Sequence, residues 1–192
     1  CDSDEIKVGS SNIDNQISDN DQPENLNVCV MSLLDRSGNV PVRSGLNWGL
    51  SGGHVSQGDA YIRISKSYIE RSPNLFPPKQ LTGVHIPQGA RVFRQNEIVE
   101  YIWDDGESME GLLEQTQIID GKNYPKAMCS SPRKNILGKY IRKRLGVDDN
   151  HLITKSDLLK YGRTDITLTK QGDGIYYLDF SSPKTSLNYT QQ

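Results

Sequence analysis

EIVEYIWDDGESMEGLLEQ, residues 97–115, is the stretch on which the fold turns. Ile98, Val99, Tyr101, Ile102 and Trp103 are β-branched and aromatic types that favour a pleated strand, and a second run follows at 108–115. Between the runs stands Asp105-Gly106, a dipeptide that tolerates the positive φ of a tight reversal. The segment therefore reads as one β-hairpin. The same signature recurs outward from it, with short β-like runs at 27–34, 60–64, 91–94, 126–131, 165–169 and 175–180. Further Asp-Gly pairs lie at 120–121 and 173–174. With no internal repeat, this pattern predicts a mostly-β domain.

Three short helices interrupt the strands. SKSYIER, 65–71, makes one or two turns after a Ser cap. The segment 132–145 carries Pro132 in its first turn and an apolar stripe of Ile136, Leu137, Tyr140 and Ile141, with Lys139, Arg142 and Lys143 expected to point away. TKSDLLK, 154–160, opens on Thr154-x-x-Asp157, a capping pattern, and Gly162 can end it.

The chain has 192 residues and a formal net charge of −2, and that charge is unevenly placed. Residues 1–25 hold seven acids against one base, Lys7, and read as a linker or loosely held arm. Residues 26–192 hold the other 21 bases and 17 acids, a net of +4, and six of those bases fall in 132–144 with no acid among them. A near-neutral total therefore does not exclude nucleic acid. No stretch approaches the roughly 18 apolar residues of a membrane span, and the first 30 positions lack a secretory pattern. Cys1, Cys29 and Cys129 are odd in number and widely spaced, which predicts reduced thiols in a cytoplasmic protein. A Cys rather than a Met at position 1 predicts a processed chain or a fragment.

No motif predicts a metal, cofactor or nucleophile. His54, His85 and His151 are far apart, and there is no phospholipase-D-type His-x-Lys core, no GxSxG elbow and no phosphate-binding Gly-Lys-Ser/Thr loop. One pattern permits a Mg²⁺ nuclease: Asp104 or Asp105 with Asp120-x-Lys122, an acid on one strand and an acid–lysine pair on another. The opposing reading makes these Asp-Gly carboxylates turn caps.

RSGLNWGLSGGHVSQGD, 43–59, holds five Gly among polar side chains with no periodic pattern, and a long loop without secondary structure points to binding. Its Arg, Asn, Gln and Asp side chains suit base edges, unless Trp48 simply plugs a barrel end. QTQIIDGKN, 115–123, is a second polar projection between strands. The basic helix presents Arg133, Lys134 and Asn135 near its start, where phosphate meets free backbone N–H groups. A protein- or carbohydrate-binding β module built on Trp48 and nearby Tyr side chains is the remaining class.

In order, SGLNWGL (44–50), DAYIRI (59–64), PPKQLTG (77–83), WDDGESMEGLLEQ (103–115), LGKYIRKRLGV (137–147), YGRTDITLT (161–169) and IYYLDFS (175–181) resemble a B3-type DNA-binding domain. More narrowly, they resemble the C-terminal recognition domain of restriction endonucleases whose N-terminal half is a phospholipase-D-like nuclease. The likeness covers about 28–182. It implies a seven-stranded open pseudobarrel with two or three short helices, flanked by the 1–25 linker and a 183–192 tail. It also implies that two arms enter the major groove of double-stranded DNA, an N-arm at Arg43 to Asp59 and a C-arm at Gln115 to Lys126. The expected base readers are Arg43, Ser44, Asn47, Trp48, His54, Ser56, Gln57 and Asp59 on the first, with Gln115, Gln117, Asp120, Lys122 and Asn123 on the second. Phosphate contacts are expected from Lys66, Lys79, Arg94, Lys126, Arg133, Lys134 and Asn135. The chain would then not itself be an enzyme, and its partners in an intact bacterial enzyme would be the nuclease half and, as a further candidate, a motor ATPase subunit.

Overall fold

The computed structural model describes residues 27–79 and 98–183. The expected strand at 91–94, Arg94, the arm at 1–25 and residues 184–192 lie outside them. Strand β1 (Val28–Ser32) leads through a short 3₁₀ segment (Gly45–Leu50) to β2 (Ile62–Arg63) and α1 (Lys66–Arg71). The expected hairpin forms as β3 (Ile98–Trp103) and β4 (Ser108–Glu114), followed by β5 (Gln117–Ile119), β6 (Lys122–Tyr124) and β7 (Ala127–Ser130). Then come α2 (Asn135–Leu145), α3 (Lys155–Tyr161), β8 (Asp165–Gly172) and β9 (Ile175–Asp179).

Seven of these strands form one sheet in the order β1-β8-β9-β3-β4-β7-β2, and β5 pairs with β6 apart from it. All neighbours in the sheet are antiparallel except β3 and β9, which run parallel with Glu100 opposite Ile175. The edge strands β1 and β2 are bridged by the α1 region rather than by a ladder. Ser32 N–H donates to the Tyr68 hydroxyl (3.1 Å), and the Ser72 hydroxyl donates to the Val28 carbonyl (3.0 Å). The sheet is thus a nearly closed pseudobarrel, with α1 across its gap.

Packing is tight inside. Tyr101, 1% exposed, donates its hydroxyl to the Cys129 carbonyl at 2.9 Å, and its ring lies where a side chain on Gly111 would go, 2.2 Å from a Cβ built there. Helix α2 buries Leu137 and Ile141 completely, each contributing about 1.5–3 kcal/mol. It begins at Asn135, three residues later than Pro132, because the Ser130 hydroxyl takes the Leu137 N–H (2.9 Å). The Thr154–Asp157 capping box and the Gly162 stop of α3 are both present.

Arg142 departs from expectation: it points inward and is 1% exposed. Its guanidinium donates to the carbonyls of Gly138, His151 and Leu46 and to Asn47 Oδ1, at 3.0–3.3 Å. Helix α2 can host this because Gly138 has no side chain. A Cβ there would sit 1.7 Å from the Gly58 carbonyl oxygen, so the 49–59 loop crosses the helix at backbone contact.

Candidate nucleic-acid interface

A cleft of about 890 Å³ opens between two walls beside the gap of the pseudobarrel. The first wall is the loop that follows β1, contributing Asp35, Arg36, Pro41 and Ser44. The floor is Tyr61 and Arg63 of the β2 segment with Ser65 and Lys66 at the start of α1. The second wall is Gln115, Gln117 and Lys126, the base of the β5–β6 hairpin. Arg63 faces the cleft because strand alternation buries its neighbours Ile62 and Ile64 on the other side.

The second wall is held firmly. Gln115 adopts φ +59°, its carbonyl accepts from Lys79 Nζ at 2.6 Å, and the Lys79 N–H donates to the Asn123 carbonyl. Gln117 Nε2 donates to the carbonyls of Ile64 (2.9 Å) and Pro125 (3.0 Å), which uses both its donors and leaves Oε1 as its remaining polar atom. At the tip, Asp120 (φ +50°) and Gly121 (φ +73°) make the left-handed pair of a tight hairpin turn. Asp120 and Lys122 stand exposed there, with Asn123 half-buried beside them.

The predicted first arm divides. Ser44 lines the cleft and Arg43 is exposed next to it. Asn47 is 0% exposed: Nδ2 donates to the carbonyls of Pro41 and Ile153, and Oδ1 accepts from the Ile153 N–H and Arg142. Every polar site of that amide is filled, so it has none left for a base. Asp59 is also buried, its carboxylate accepting the Ser56 N–H at 2.8 Å. Trp48 is half-buried, edge-on to Tyr61, with Lys134 Nζ 4.9 Å from its ring centroid. His54, Ser56 and Gln57 are exposed but do not line the cleft; Gln57 borders a separate hollow beside Lys139, Tyr140 and Lys143 of α2. The 43–59 segment is therefore not one structureless arm, since the 3₁₀ segment anchors it to α2.

The cations divide too. Lys134 pairs with Glu114 at 2.7 Å, Lys66 with Glu70 at 3.5 Å, and Lys79 is committed to the hairpin. At the start of α2 the Leu137 and Ile136 N–H groups are taken by Ser130 and the Arg133 carbonyl, and Asn135 packs under Gly58. Arg133 is exposed there. By contrast, the side chains of Arg36, Arg63 and Lys126 have no hydrogen-bond or ion-pair partner among the described residues. The sequence reading named Lys126 but missed Arg36 and Arg63; the Ile-Arg-Ile alternation at 62–64 was the available signal for Arg63.

The residues of the Mg²⁺ nuclease pattern do not converge. Asp104 is held by Arg144 through two hydrogen bonds (3.0 and 2.8 Å) and accepts the Phe180 N–H, and Asp105 lies 3.4 Å from the same guanidinium. Asp120 lies beyond the opposite end of β4, roughly 20 Å away at ~3.3 Å per strand residue. Among the described residues no three His, Cys, Asp or Glu cluster as metal ligands. Cys129 is buried, and burial with the Glu114 carboxylate beside it pushes its thiol up to about 12, so it is held protonated. No described helix is long and apolar enough to cross a membrane.

No curated protein sequence matches the chain. A family model described as the NgoFVII C-terminal B3-like DNA-binding domain matches residues 22–172, well over half the chain and including both walls and the floor of the cleft. The chain belongs to this family of B3-like DNA-binding domains of restriction enzymes, and its partner is double-stranded DNA.

Proposed function

We propose that the cleft between the β1 loop and the β5–β6 hairpin seats a DNA duplex through its major groove and reads a short sequence there. One observation supports this reading: both walls and the floor face one hollow in which three cations have no partner among the described residues. Arg63 and Lys126 neutralise phosphates, which supply salt-dependent, sequence-independent affinity. Arg43 and Ser44 on one side, and Gln115, the Gln117 Oε1, Asp120, Lys122 and Asn123 on the other, read base edges. Asn47, Asp59, Trp48 and Lys134 shape and hold the walls instead. The hairpin tip carries Asp120 toward cytosine N4, where an acceptor is matched, rather than toward phosphate.

In the same reading the chain contributes recognition to an intact type II site-specific deoxyribonuclease of the bacterial cytoplasm. A phospholipase-D-like half cuts, the acidic 1–25 segment joins the two, and a motor ATPase subunit is a further candidate partner. Selection from a randomised duplex library tests the reading: the chain should enrich one short site, and substituting Gln115 should change the preferred base at a single position. Enrichment of no sequence, or binding indifferent to ionic strength, overturns it.

A further inference from the structure

The loop that forms the first wall has more internal structure than an idle connection. Asp35 Oδ1 accepts the backbone N–H groups of Ser37 (2.9 Å) and Asn39 (3.2 Å) and the Ser37 hydroxyl (2.6 Å). The Asp35 N–H donates to the Asn39 carbonyl, and the Gly38 N–H, at φ +79°, donates to the Asp35 carbonyl. One carboxylate thus fastens a five-residue turn. Asp35 and Arg36 both stand exposed on the cleft that Gln115 and Gln117 also line, and while the Asp35 carboxylate is taken up by the turn, the Arg36 side chain has no partner among the described residues. A phosphate contact tolerates a mobile side chain on a mobile loop, but a base contact requires a fixed origin, and the fastened turn supplies one.

We infer that Arg36, held by the Asp35-fastened turn, is a specificity-determining residue that forks onto the O6 and N7 of a guanine in the major groove. This rests on the proposed seating of DNA in the cleft. Asp35 acts as its positioning residue. The carboxylate also places a negative charge beside the groove, so it restrains binding to arbitrary duplex while it aims the arginine.

The test uses the full chain in a randomised-duplex selection, with Arg36→Ala and Asp35→Ala selected in parallel. Arg36→Ala should lose preference at one guanine position and keep all others, weakening the selected site about 5- to 150-fold, the scale of one bidentate base contact, while random duplex changes little. Replacing that guanine by 7-deazaguanine should weaken the unaltered chain but leave Arg36→Ala unmoved. Asp35→Ala should blur the same position although the arginine is present, and should bind random duplex more tightly, which a merely structural residue would not do. Melting temperature should stay unchanged for Arg36→Ala, because the side chain is exposed. Equal losses on selected and random duplex, or full retention of every preference, overturn the inference while leaving the DNA reading intact. Absence of any selected site from the unaltered chain overturns both.

Discussion

Two polar regions of this molecule use the same residue types to opposite ends. In the knot at α2, Asn47 and Arg142 meet carbonyls and each other, fully buried, and Arg144 ties Asp104, Tyr140, Tyr161 and the Phe180 carbonyl together. In the cleft, Arg36, Arg63 and Lys126 meet no described partner. An arginine whose donors are all accepted inside the protein holds the fold; an arginine whose donors face an open hollow is available to a ligand. Saturation, rather than residue type, separates the two roles.

The largest effect should come from breaking the knot at Arg144. Its side chain and that of Asp104 are only 13% and 12% exposed, so Arg144→Ala leaves a shielded carboxylate without its partner. The loss should be about 3–5 kcal/mol in urea unfolding. Asn47→Ala should follow at about 2–3 kcal/mol, since it strands buried donors and acceptors on Arg142, Pro41 and Ile153. If either variant melted like the unaltered chain, the saturated network would not be what holds the wall.

A smaller effect distinguishes the cap of α3. Burial pulls the Asp157 carboxyl upward, but hydrogen bonds from Thr154 and His151 outweigh it and hold the group below its ordinary 3.8. A depressed folded value gives stability that is present above 3.8 and lost as pH falls through the folded value. Asp157→Ala should therefore cost about 1 kcal/mol near neutrality and nothing once the carboxyl is protonated, as read from melting curves across acid pH.

Changes in the cleft should leave melting untouched and appear only with DNA. Arg63→Ala should reduce the slope of log affinity against log salt by about one unit, alike on selected and random duplex. Lys66→Ala should do least: its pair with Glu70 is 65% and 50% exposed, so stability should move by less than about 0.5 kcal/mol. A stability loss from Arg63→Ala comparable to that from Asn47→Ala would erase the distinction between the regions.

The sheet was legible in the sequence because its signals are local. The hairpin at 97–115, its Asp-Gly turn and the α3 capping box each lie within a few consecutive residues, and each appears where the pattern puts it. The site was legible only in part. Gln115, Lys126 and Ser44, named from the sequence, line the cleft, but Asn47 meets Arg142 across 95 positions, and no spacing rule reports such a contact. The thirteen residues 132–144, with six bases and no acid, likewise hide their partners from any spacing rule. The acids come from elsewhere: Glu114 to Lys134, Asp104 and Asp105 to Arg144.

The pairing of β1 sets an order on assembly. Among the described strands its sole neighbour is β8, with Val28 opposite Thr169. A ribosome therefore releases the first wall's anchoring strand some 140 residues before the described strand it pairs with. Until β8 emerges, the β1 edge is open and the turn at 35–39 has no fixed place relative to the hairpin that faces it. Recognition in this molecule is thus completed from its far end, and a chain halted before 165 would carry every lining residue of the cleft yet lack the strand that pairs with β1.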